Sequence, residues 1–379
     1  MGLLPSFYLV QLAFAPLPPF AANALAEIEV ETSIDGAGMF RLHFDLSRNI
    51  VGDFDAIMFD LFRPLVPIRI SLSFGLGAPL TLINGYVRDV QLSVGNEPGS
   101  SRMEVVGADA LGTIMGQWQA PADWGNVPDS AIVAAIFSRY AVLPAVTPTP
   151  LTRTILQKTK TQQTRDNAFV RDIAAFHGYQ LFIQPALVVG TDVGWFLPVS
   201  QMLAFPPQGV LSIDFGVETN LNNFQVSNQM LKPKSLVATC IDEDTRAPVV
   251  MIAPMATEMP MGLEPSHSRI APPPIEVDIS DRPANPAEKY LSALASVTES
   301  GRSIQASGQV DGLKFARPLI PGVPVMVRGA GRQHSGAYLV TSVSHRISRD
   351  GYVQSFQALR NAVGLTGAEI FIDPLAPVT

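Results

Sequence analysis

The last part of the chain contains the pattern that most restricts its fold, a run of short strands separated by tight turns. Val323, Val325 and Val327 alternate with other residues, and the runs AYLVTSVSHRI and YVQSFQAL flank an Asp350-Gly351 pair. A period of two places alternate side chains on one face of a strand, and Asp-Gly between two such runs is typical of a β-hairpin. The sequence therefore predicts an antiparallel meander at this end.

A second β region lies near the other end of the chain. The runs IEVET, MFRLHFDLS, PIRISLSFG and LINGYVRDVQLSV alternate or stay apolar between Gly, Pro, Asn and Asp breaks. The length of 379 residues allows several cores, because ordinary domains have about 100 to 200 residues. We therefore predict a compact β unit within the first hundred residues and further units beyond it.

Three segments between these β regions have helical spacing. Asp129 can cap the first, Asp166 opens the second, and Asn285 precedes Pro286 and Glu288 in a capping-box-like start of the third. Gly178 is suited to end the second helix in a left-handed conformation. The residues predicted to face inward are Ile132, Val133, Ile136, Phe137 and Tyr140 in the first helix, Phe169, Val170, Ile173, Ala174 and His177 in the second, and Tyr290, Leu291, Leu294 and Ala295 in the third.

The stretch from Ala253 to Pro286 is dense in Pro and Met. Proline removes a backbone donor, so this stretch is predicted to form an extended surface connection between two folded blocks. Four methionines nearby could suggest an adaptable binding surface, although the interleaved prolines favour a loose linker. They are Met251, Met255, Met259 and Met261.

Composition narrows the classes of partner. Apolar residues make up 47% and charged residues 16% of the chain, which suits burial in an assembly. A membrane span is not expected, since Pro or charge interrupts every apolar stretch before about 20 residues. The net charge of −7 and the lack of a Lys/Arg cluster argue against nucleic acid as a direct partner. The single cysteine, Cys240, is predicted to occupy a half-buried strand position.

The amino terminus is apolar from Leu3 to Ala26, contains no Lys or Arg, and ends in AANALA. This could resemble a signal peptide, which would make the chain an exported β-rich binding protein. Against that, a positive first region is missing and four prolines interrupt the apolar run at positions 5, 16, 18 and 19. We interpret residues 1–25 as an apolar arm that docks on a neighbour.

Motifs for catalysis, nucleotides or zinc are absent from the sequence, and no catalytic, cofactor-binding or metal-binding residue is predicted. Gly329–Gly336 joins two strands, so a hairpin loop is favoured over a dinucleotide site. Asp242, Glu243 and Asp244 are typical of a solvated turn. Trp118 and Trp124 are interpreted as loop residues packed on the core. The five histidines lack metal-ligand spacing: His43, His177, His267, His334 and His345.

The order of segments resembles the baseplate hub, or late control protein D, family of contractile phages, which includes the hub part of VgrG spikes. The resemblance spans roughly residues 26 to 362 and rests on NGYVRDVQLSV, VVGADALGTIMG, QKTKTQQTRDNAFVRDIAAFHGYQLFI, FGVETNLNNFQVSNQ and the closing strands that end in Arg360 and Asn361. Ala168 stands where the family often has Trp. The resemblance implies an α+β, mostly β fold with two tube-like antiparallel β-barrels and mixed α/β material between them.

The same resemblance implies a homotrimer of pseudo-sixfold symmetry that adapts the hexameric inner tube to a trimeric spike and contacts other baseplate proteins. The protein would assemble in the cytoplasm and then belong to the particle. The spike, and any wall-cleaving activity, would reside in other chains; a tail-associated peptidoglycan or glycan hydrolase is the alternative function. The expected units are an apolar arm (1–25), a first barrel (26–107), an α/β middle domain (108–225), a β segment with linker and helix (226–300), a closing barrel meander (301–363) and a tail (364–379).

Overall fold

The computed structural model describes residues 6–55, 60–74, 77–97, 99–117, 121–150, 160–186, 191–254, 258–270, 272, 274–367 and 369–371. The strands of the described chain are β1 Ser6–Leu12, β2 Ala15–Pro16, β3 Leu25–Ser33, β4 Met39–Asp45, β5 Pro67–Phe74, β6 Leu80–Ser93, β7 Arg102–Ala108, β8 Ala122–Trp124, β9 Val142–Val146, β10 Lys160–Gln162, β11 Tyr179–Pro185, β12 Asp192–Pro198, β13 Val210–Ser212, β14 Leu221–Asn228, β15 Ser235–Asp242, β16 Pro248–Ala253, β17 Glu264–Pro265, β18 Ile275–Ala284, β19 Ile304–Asp311, β20 Pro324–Arg328, β21 Gly336–Ser348, β22 Gly351–Arg360 and β23 Ala362–Val363. Its helices are α1 Pro19–Ala24, α2 Asp129–Arg139, α3 Asp166–His177, α4 Val199–Met202, α5 Pro286–Ser300, α6 Gly312–Phe315 and α7 Gly331–His334.

One large sheet joins the two β regions of the sequence. Its strand order is β14-β19-β22-β21-β3-β4-β7-β6-β5-β1-β2, with β20 pairing to β21 and β13 to β20. The antiparallel pair β3 and β21, with Val30 opposite His345, connects the opening strands to the closing ones. The mostly β, α+β class is confirmed, and both β regions belong to one continuous sheet.

The large sheet buries one face over two apolar clusters. The first includes Ile28, Phe40 and Val105 under β3 to β7. The second includes Val310 and Phe356 under the closing strands. Burial alternates along β22, as a strand with one covered face requires.

The first 25 residues take part in this architecture as far as they are described. Strand β1 pairs along its whole length with β5, from Ser6 opposite Phe74 to Leu12 opposite Ile68. Val10, Leu17 and Ala21 lie in the core beneath the opening strands. The segment predicted to be a separate arm therefore supplies an edge strand and core side chains to its own chain.

The middle of the chain combines α2 and α3 with the sheet β11-β12-β9. The inward faces predicted for both helices are confirmed through Phe137 and Ala174, which lie in one core. Gly178 ends α3 at φ +65°, as predicted. Pro128 occupies the N-cap position of α2, so the prediction that Asp129 caps this helix was wrong. Asp129 is the first helical residue, and its carboxylate is engaged by Lys160 and His177.

A small sheet of order β16-β15-β18 follows β14, with α5 packed on it. Strand β18 lies inside the Pro- and Met-rich stretch and pairs in parallel with β15, so the prediction of an extended surface connection was wrong for this part of the stretch. The alternating run IEVDIS, which the prolines flank, explains the strand. Cys240 is a strand residue, as predicted, but is fully buried.

Helix α5 begins as predicted, since the Asn285 side chain accepts hydrogen bonds from the N–H groups of Ala287 and Glu288. Its inward face differs from the prediction. Ala293 and Val297 face the small sheet, whereas Tyr290 is exposed. The helix packs on the small sheet on one side and near Gly178 of α3 on another, so a single stripe did not identify its buried face.

The closing hairpins agree with the sequence pattern. Gly329–Gly336 connects the antiparallel strands β20 and β21, as predicted, and includes the single turn α7. The turn between β21 and β22 consists of Arg349 and Asp350, because Ser348 pairs with Gly351. The predicted Asp-Gly hairpin is therefore present, with the glycine opening the second strand.

Candidate functional site

The uncovered face of the large sheet carries polar side chains in register across many strands, and we call it the polar face. One row runs Asn223, Gln309, Ser355, Ser344 and Glu31 across β14, β19, β22, β21 and β3. A neighbouring row contains Gln225, Ser307, Gln357 and Ser342. A shallow groove lies along these residues. Most of these side chains are exposed, and none of the side chains in the two rows is apolar.

The polar face becomes charged over β3, β4 and β7. Arg41 lies 3.7 Å from both Glu29 and Glu104, and Arg346 pairs with Glu27. These side chains are one-fifth to two-thirds exposed, so each pair contributes about 0 to 1 kcal/mol. The charges keep this part of the surface wet and soluble and contribute little to folding.

The small sheet has an apolar outer face that is uncovered by any described residue, and we call it the bare apolar face. Its members are Val237, Val250, Ile252, Ile275, Val277 and Ile279. Five of them are more than half exposed, with Ile279 at 78%. Val237 pairs with Ile252 on one side and Val277 on the other, which brings the three strands' apolar residues together.

Among the side chains of β18 that the structure describes, Glu276 and Asp278 point away from this outer face. Glu276 pairs with Lys234, and Asp278 pairs with Lys289 of α5. Alternation along the strand therefore directs the charges to the covered side and the isoleucines and valine to solvent. An apolar surface of this kind marks an interaction site more often than an isolated exposed residue does.

Arg360 and Asn361, which carried part of the family resemblance, hold the connection to the small sheet. Buried Arg360 donates to the carbonyl oxygens of Met261, Ser335 and Gly364. The Asn361 side chain accepts from Met261 N–H at 2.8 Å and donates to the carbonyl of Met259. The last long strand is thereby tied to the segment before β18.

A second anchor of the same segment is a buried ion pair. Arg302 lies directly after α5 and donates two hydrogen bonds to the Glu258 carboxylate, with both side chains less than a tenth exposed. A fork of this kind fixes geometry as well as charge. The segment between β16 and β18 is therefore held by two arginines, Arg302 just before β19 and Arg360 at the end of β22.

The middle domain contains a buried polar cluster around Asp166. Its carboxylate accepts from Arg139, Tyr140 and Gln162, and Gln162 in turn accepts from Trp124. Burial and the adjacent carboxylate raise the pKa of Tyr140 to about 12. Each group has a hydrogen-bond partner, so the cluster joins α2, α3 and β10.

A neighbouring cluster contains Asp129, Lys160 and His177. His177 Nε2 lies 2.9 Å from Asp129 Oδ2, and Lys160 Nζ lies 2.7 Å from both carboxylate oxygens. Although burial acts in the opposite direction, the hydrogen bonds and charges of these partners lower the pKa of Asp129. His177 was predicted to face inward, and it does so as a partner of Asp129.

Two further titratable groups are buried at structural positions. Burial raises the pKa of Asp109 to about 7, although its oxygens accept from Gly38 and Gly112 N–H. Burial lowers the pKa of His345 to about 3, and its Nδ1 lies 2.8 Å from the Tyr352 hydroxyl. Asp109 belongs to the segment VVGADALGTIMG and ties β4 to the turn after β7.

The remaining sequence candidates are scattered. Asp242 begins the turn between β15 and β16, where the N–H of Asp244 lowers its pKa, so the predicted solvated turn is confirmed. Met259 is exposed and Met251 packs under the small sheet. Trp118 and Met255 lie outside the described residues.

A cavity of about 860 Å³ lies between α3, α5, β14 and β19. Its charged lining includes Asp35, Arg171, Lys232 and Glu299, and burial raises the pKa of Asp35. The residues described around it include Ser227 and Ser307 but neither histidine nor cysteine.

The described part of the chain contains neither a group of three side chains placed to hold a metal ion nor a helix long and apolar enough to cross a membrane. The predicted absence of catalytic, cofactor and metal residues stays a prediction. The two sheet faces were missed at the sequence level. Their signals were the alternation in Gln305-Ser307-Gln309 and in Ile275-Val277-Ile279, which becomes informative only with the register known.

The fold of this chain is similar to the folds of known proteins, whereas its sequence matches none of the families or curated proteins compared. No protein-family model matches the chain, and no curated protein matches it. A tail protein from Neisseria meningitidis MC58 superposes with a TM-score of 0.63 at 13% identity, covering 95% of this chain and 98% of that chain. The 43 kDa tail protein of prophage MuSo2 from Shewanella oneidensis superposes with a TM-score of 0.60 at 12% identity, covering 95% and 100%.

A third similar structure is an E. coli component of the type VI secretion system, described as structurally similar to the T4 tail proteins gp27 and gp5. It superposes with a TM-score of 0.54 at 11% identity, covering 96% of this chain and 80% of that chain. The matches cover nearly the whole chain, so the similarity concerns the arrangement of all its units. The chain has the fold of these phage tail proteins and of this secretion-system component.

Proposed function

We propose that this protein is the baseplate hub of a contractile phage tail or a related injection system, of the kind called late control protein D. The observation that carries the proposal is the polar face, a largely exposed surface of polar side chains in register across the large sheet. A channel that passes cargo needs a wall that is wet and binds little. The fold similarity to tail proteins over nearly the whole chain supports the same assignment.

The sheet order supports the proposed symmetry. Strands β14, β19, β22 and β21 form one antiparallel group, and β3, β4, β7 and β6 form another, with the β21 and β3 pair between them. Two similar groups in one chain would give six in a ring of three copies. Such a homotrimer has pseudo-sixfold symmetry and could match a hexameric inner tube on one side and a trimeric spike on the other.

In this proposal each group curves into a tube-like barrel unit when the ring closes, and the polar face lines the channel. The partners are two more copies of this chain, the spike, the inner tube and other baseplate proteins. Assembly would take place in the cytoplasm before the protein enters the particle. The bare apolar face and the low charged fraction agree with a subunit that is mostly covered by partners.

We propose a purely structural role without catalysis. Asp242 lies in a turn with Asp244, and the buried acids Asp129 and Asp166 are held by His177 and Arg139, so these acids already have structural partners. In a zymogram, the purified protein should not lyse the cell-wall material. Lysis that is lost on substitution of one acid by its amide would support the hydrolase instead.

The core argues against the alternative that this chain is an exported binding protein with a cleaved signal peptide. A cleavage after AANALA would remove β1 and the buried side chains Val10, Leu17 and Ala21. Sequencing of the native amino terminus tests this, since export would leave a terminus beyond residue 26.

Native mass measurement tests the hub directly. The chain purified together with its spike should give a complex that contains three copies of this chain. The matched sample without spike reports whether the ring forms alone. A discrete monomer that binds neither other copies of this chain nor the spike would contradict the proposed hub.

A further inference from the structure

Two carboxylates lie near each other where the large sheet passes into the middle domain. Asp109 follows Ala108, the last residue of β7, and precedes Ala110 and Leu111, which are buried in the core of the middle domain. Asp192 is the first residue of β12 in the sheet of that domain. Burial is the main cause of the raised pKa of Asp109, and the charge of Asp192 raises it further. The junction between the two units therefore contains an interacting acidic pair.

The carboxylate of Asp109 is fixed by backbone groups on both sides of it. Its Oδ2 accepts from the N–H of Gly38 at 2.7 Å, just before β4, and its Oδ1 accepts from the N–H of Gly112 at 3.0 Å. Asp109 is only 2% exposed. Protonation leaves an acceptor lone pair on each oxygen, so it does not require these hydrogen bonds to break. A proton therefore changes the charge at the junction while the connection is kept.

Neither carboxylate forms an ion pair with a described residue. Arg69 of β5 donates from Nε to the side-chain oxygen of Asn84 at 2.8 Å, and Nδ2 of Asn84 donates to Oδ1 of Asp192 at 2.9 Å. The positive charge thus reaches Asp192 through an amide, and the partners of the Asp109 carboxylate are backbone N–H groups. A buried carboxylate without a cation in contact is costly when it is ionised.

Burial decides how the pair titrates. It raises the pKa of Asp109 to about 7, although the N–H donors act in the opposite direction. It also raises the pKa of Asp192, although Asn84 and Arg69 lower it. Tyr86 of β6 is a further titratable group beside the pair, and burial and the charge of Asp192 raise its pKa, so it is neutral near pH 7. An unfolded aspartate has a pKa of about 3.9, so the stabilising contribution of Asp109 is complete below about pH 3.9 and is lost as the pH rises through about 7.

We propose that Asp109, with Asp192 beside it, makes this connection a pH-sensitive junction, which holds the middle domain firmly on the large sheet when Asp109 carries a proton and loosens when Asp109 is ionised. Loosening lets water reach the buried charge and relieves the repulsion between the two carboxylates. The inference is independent of the proposed hub, because it concerns contacts within one copy.

Hydrogen exchange of the full chain measures the loosening. Protection factors, which are corrected for the intrinsic pH dependence of exchange, should fall about tenfold between pH 6 and pH 8 in residues 109–116 and 192–198. Residues 235–242 of the small sheet are the internal reference and should change less than about twofold. His345 loses its stabilising contribution in acid, so it acts in the opposite direction. An equal fall in the reference, or no fall at the junction, overturns the proposal.

An amide substitution identifies the group that titrates. Asp109→Asn keeps one acceptor oxygen and removes the charge, so the fall between pH 6 and pH 8 should shrink to less than about twofold. Asp89→Asn is the matched control, because Asp89 is an exposed acid of β6 that pairs with Arg88, and this variant should behave as the wild type. A full tenfold fall in Asp109→Asn would assign the pH dependence to another group and overturn the proposal.

A second variant decides the question if circular dichroism shows that Asp109→Asn does not fold. Asp192→Asn retains an oxygen that can accept from Asn84, and it removes the charge beside Asp109. The pKa of Asp109 should then drop toward its ordinary value, and the fall in protection should be smaller by at least about a factor of two. A fall as large as that of the wild type would show that the two carboxylates are not coupled and would contradict the proposed junction.

Discussion

The large sheet and the small sheet each bury one face, and they differ in what the other face carries. In the large sheet, Ser, Gln, Asn and paired charges cover the free face in register. In the small sheet, valine and isoleucine occupy it, while Glu276 and Asp278 of β18 pair with Lys234 and Lys289 on the other side. Antiparallel sheets commonly keep one face wet, so the free face of the large sheet needs no covering layer.

This difference indicates which of the two free faces is suited to bind a partner protein. A polar free face has no free energy to gain from a partner, whereas an apolar one gains about 25 cal/mol for each Å² that it buries. The small sheet is also the part that is tied down by long side chains, through Arg360 and Arg302. These two arginines fix the position of the segment next to β18, and the apolar face of the small sheet stays exposed.

We expect the largest loss of stability when the hydrogen bonds from Arg360 to the segment before β18 are removed. Arg360→Met leaves three carbonyl groups without their donor, so we expect the free energy of unfolding to fall by about 3 kcal/mol. Urea denaturation measures the loss, and hydrogen exchange should show faster exchange in residues 258–284 than in β3 and β21. Arg346→Met is the control, because Arg346 is an exposed arginine of the same sheet and should cost less than about 1 kcal/mol. Equal losses would contradict a special role of Arg360.

Acid should weaken the large sheet more than the small one through His345. The pKa of His345 is about 3 in the folded chain and about 6.5 when unfolded, so its stabilising contribution is complete above pH 6.5 and is lost as the pH falls toward 3. At pH 5 the loss is about 2 kcal/mol. His345→Gln should show a flatter decline between pH 7.5 and 5 in urea titrations. An unchanged slope would mean that other groups cause the acid sensitivity.

The same substitution on each sheet compares the two environments directly. Ile28→Val removes a methylene from the core of the large sheet and should cost about 1 kcal/mol. Ile279→Val removes the same group from the bare apolar face and should change the stability of the monomer by less than about 0.5 kcal/mol. Thermal unfolding at low protein concentration measures both. A comparable loss at Ile279 would mean that this face is covered within the single chain.

The smallest effect is expected on the polar face. Ser344→Ala removes a partly hydrated hydroxyl from the middle of the row that contains Ser355 and Glu31, so stability should change by less than about 0.5 kcal/mol. Ser303→Ala is the contrast, because Ser303 is fully buried and lies 3.3 Å from the Asn228 side chain. We expect it to cost about 1 kcal/mol in the same urea titration.

Short sequence patterns correctly predicted the elements that are determined by interactions between neighbouring residues. The stripe and the glycine of α3, the cap of α5 and the hairpins that follow β20 and β21 depend on residues within about ten positions, and these predictions were confirmed. Asp129 shows where local reasoning fails. Its position favoured a cap, yet Lys160 and His177 from distant segments compete for the carboxylate and form stronger, charge-assisted bonds.

The sequence by itself determined the mostly β class, the main strands and helices, and the lack of familiar catalytic motifs. Only the tertiary structure decided that β3 pairs with β21, that residues 6–12 join the sheet, and that β18 forms within a proline-rich stretch. Strand pairing depends on contacts between residues far apart in the chain, which no window of sequence contains. The two free faces follow from that pairing, because a side chain's face has a meaning only when the neighbouring strands are known.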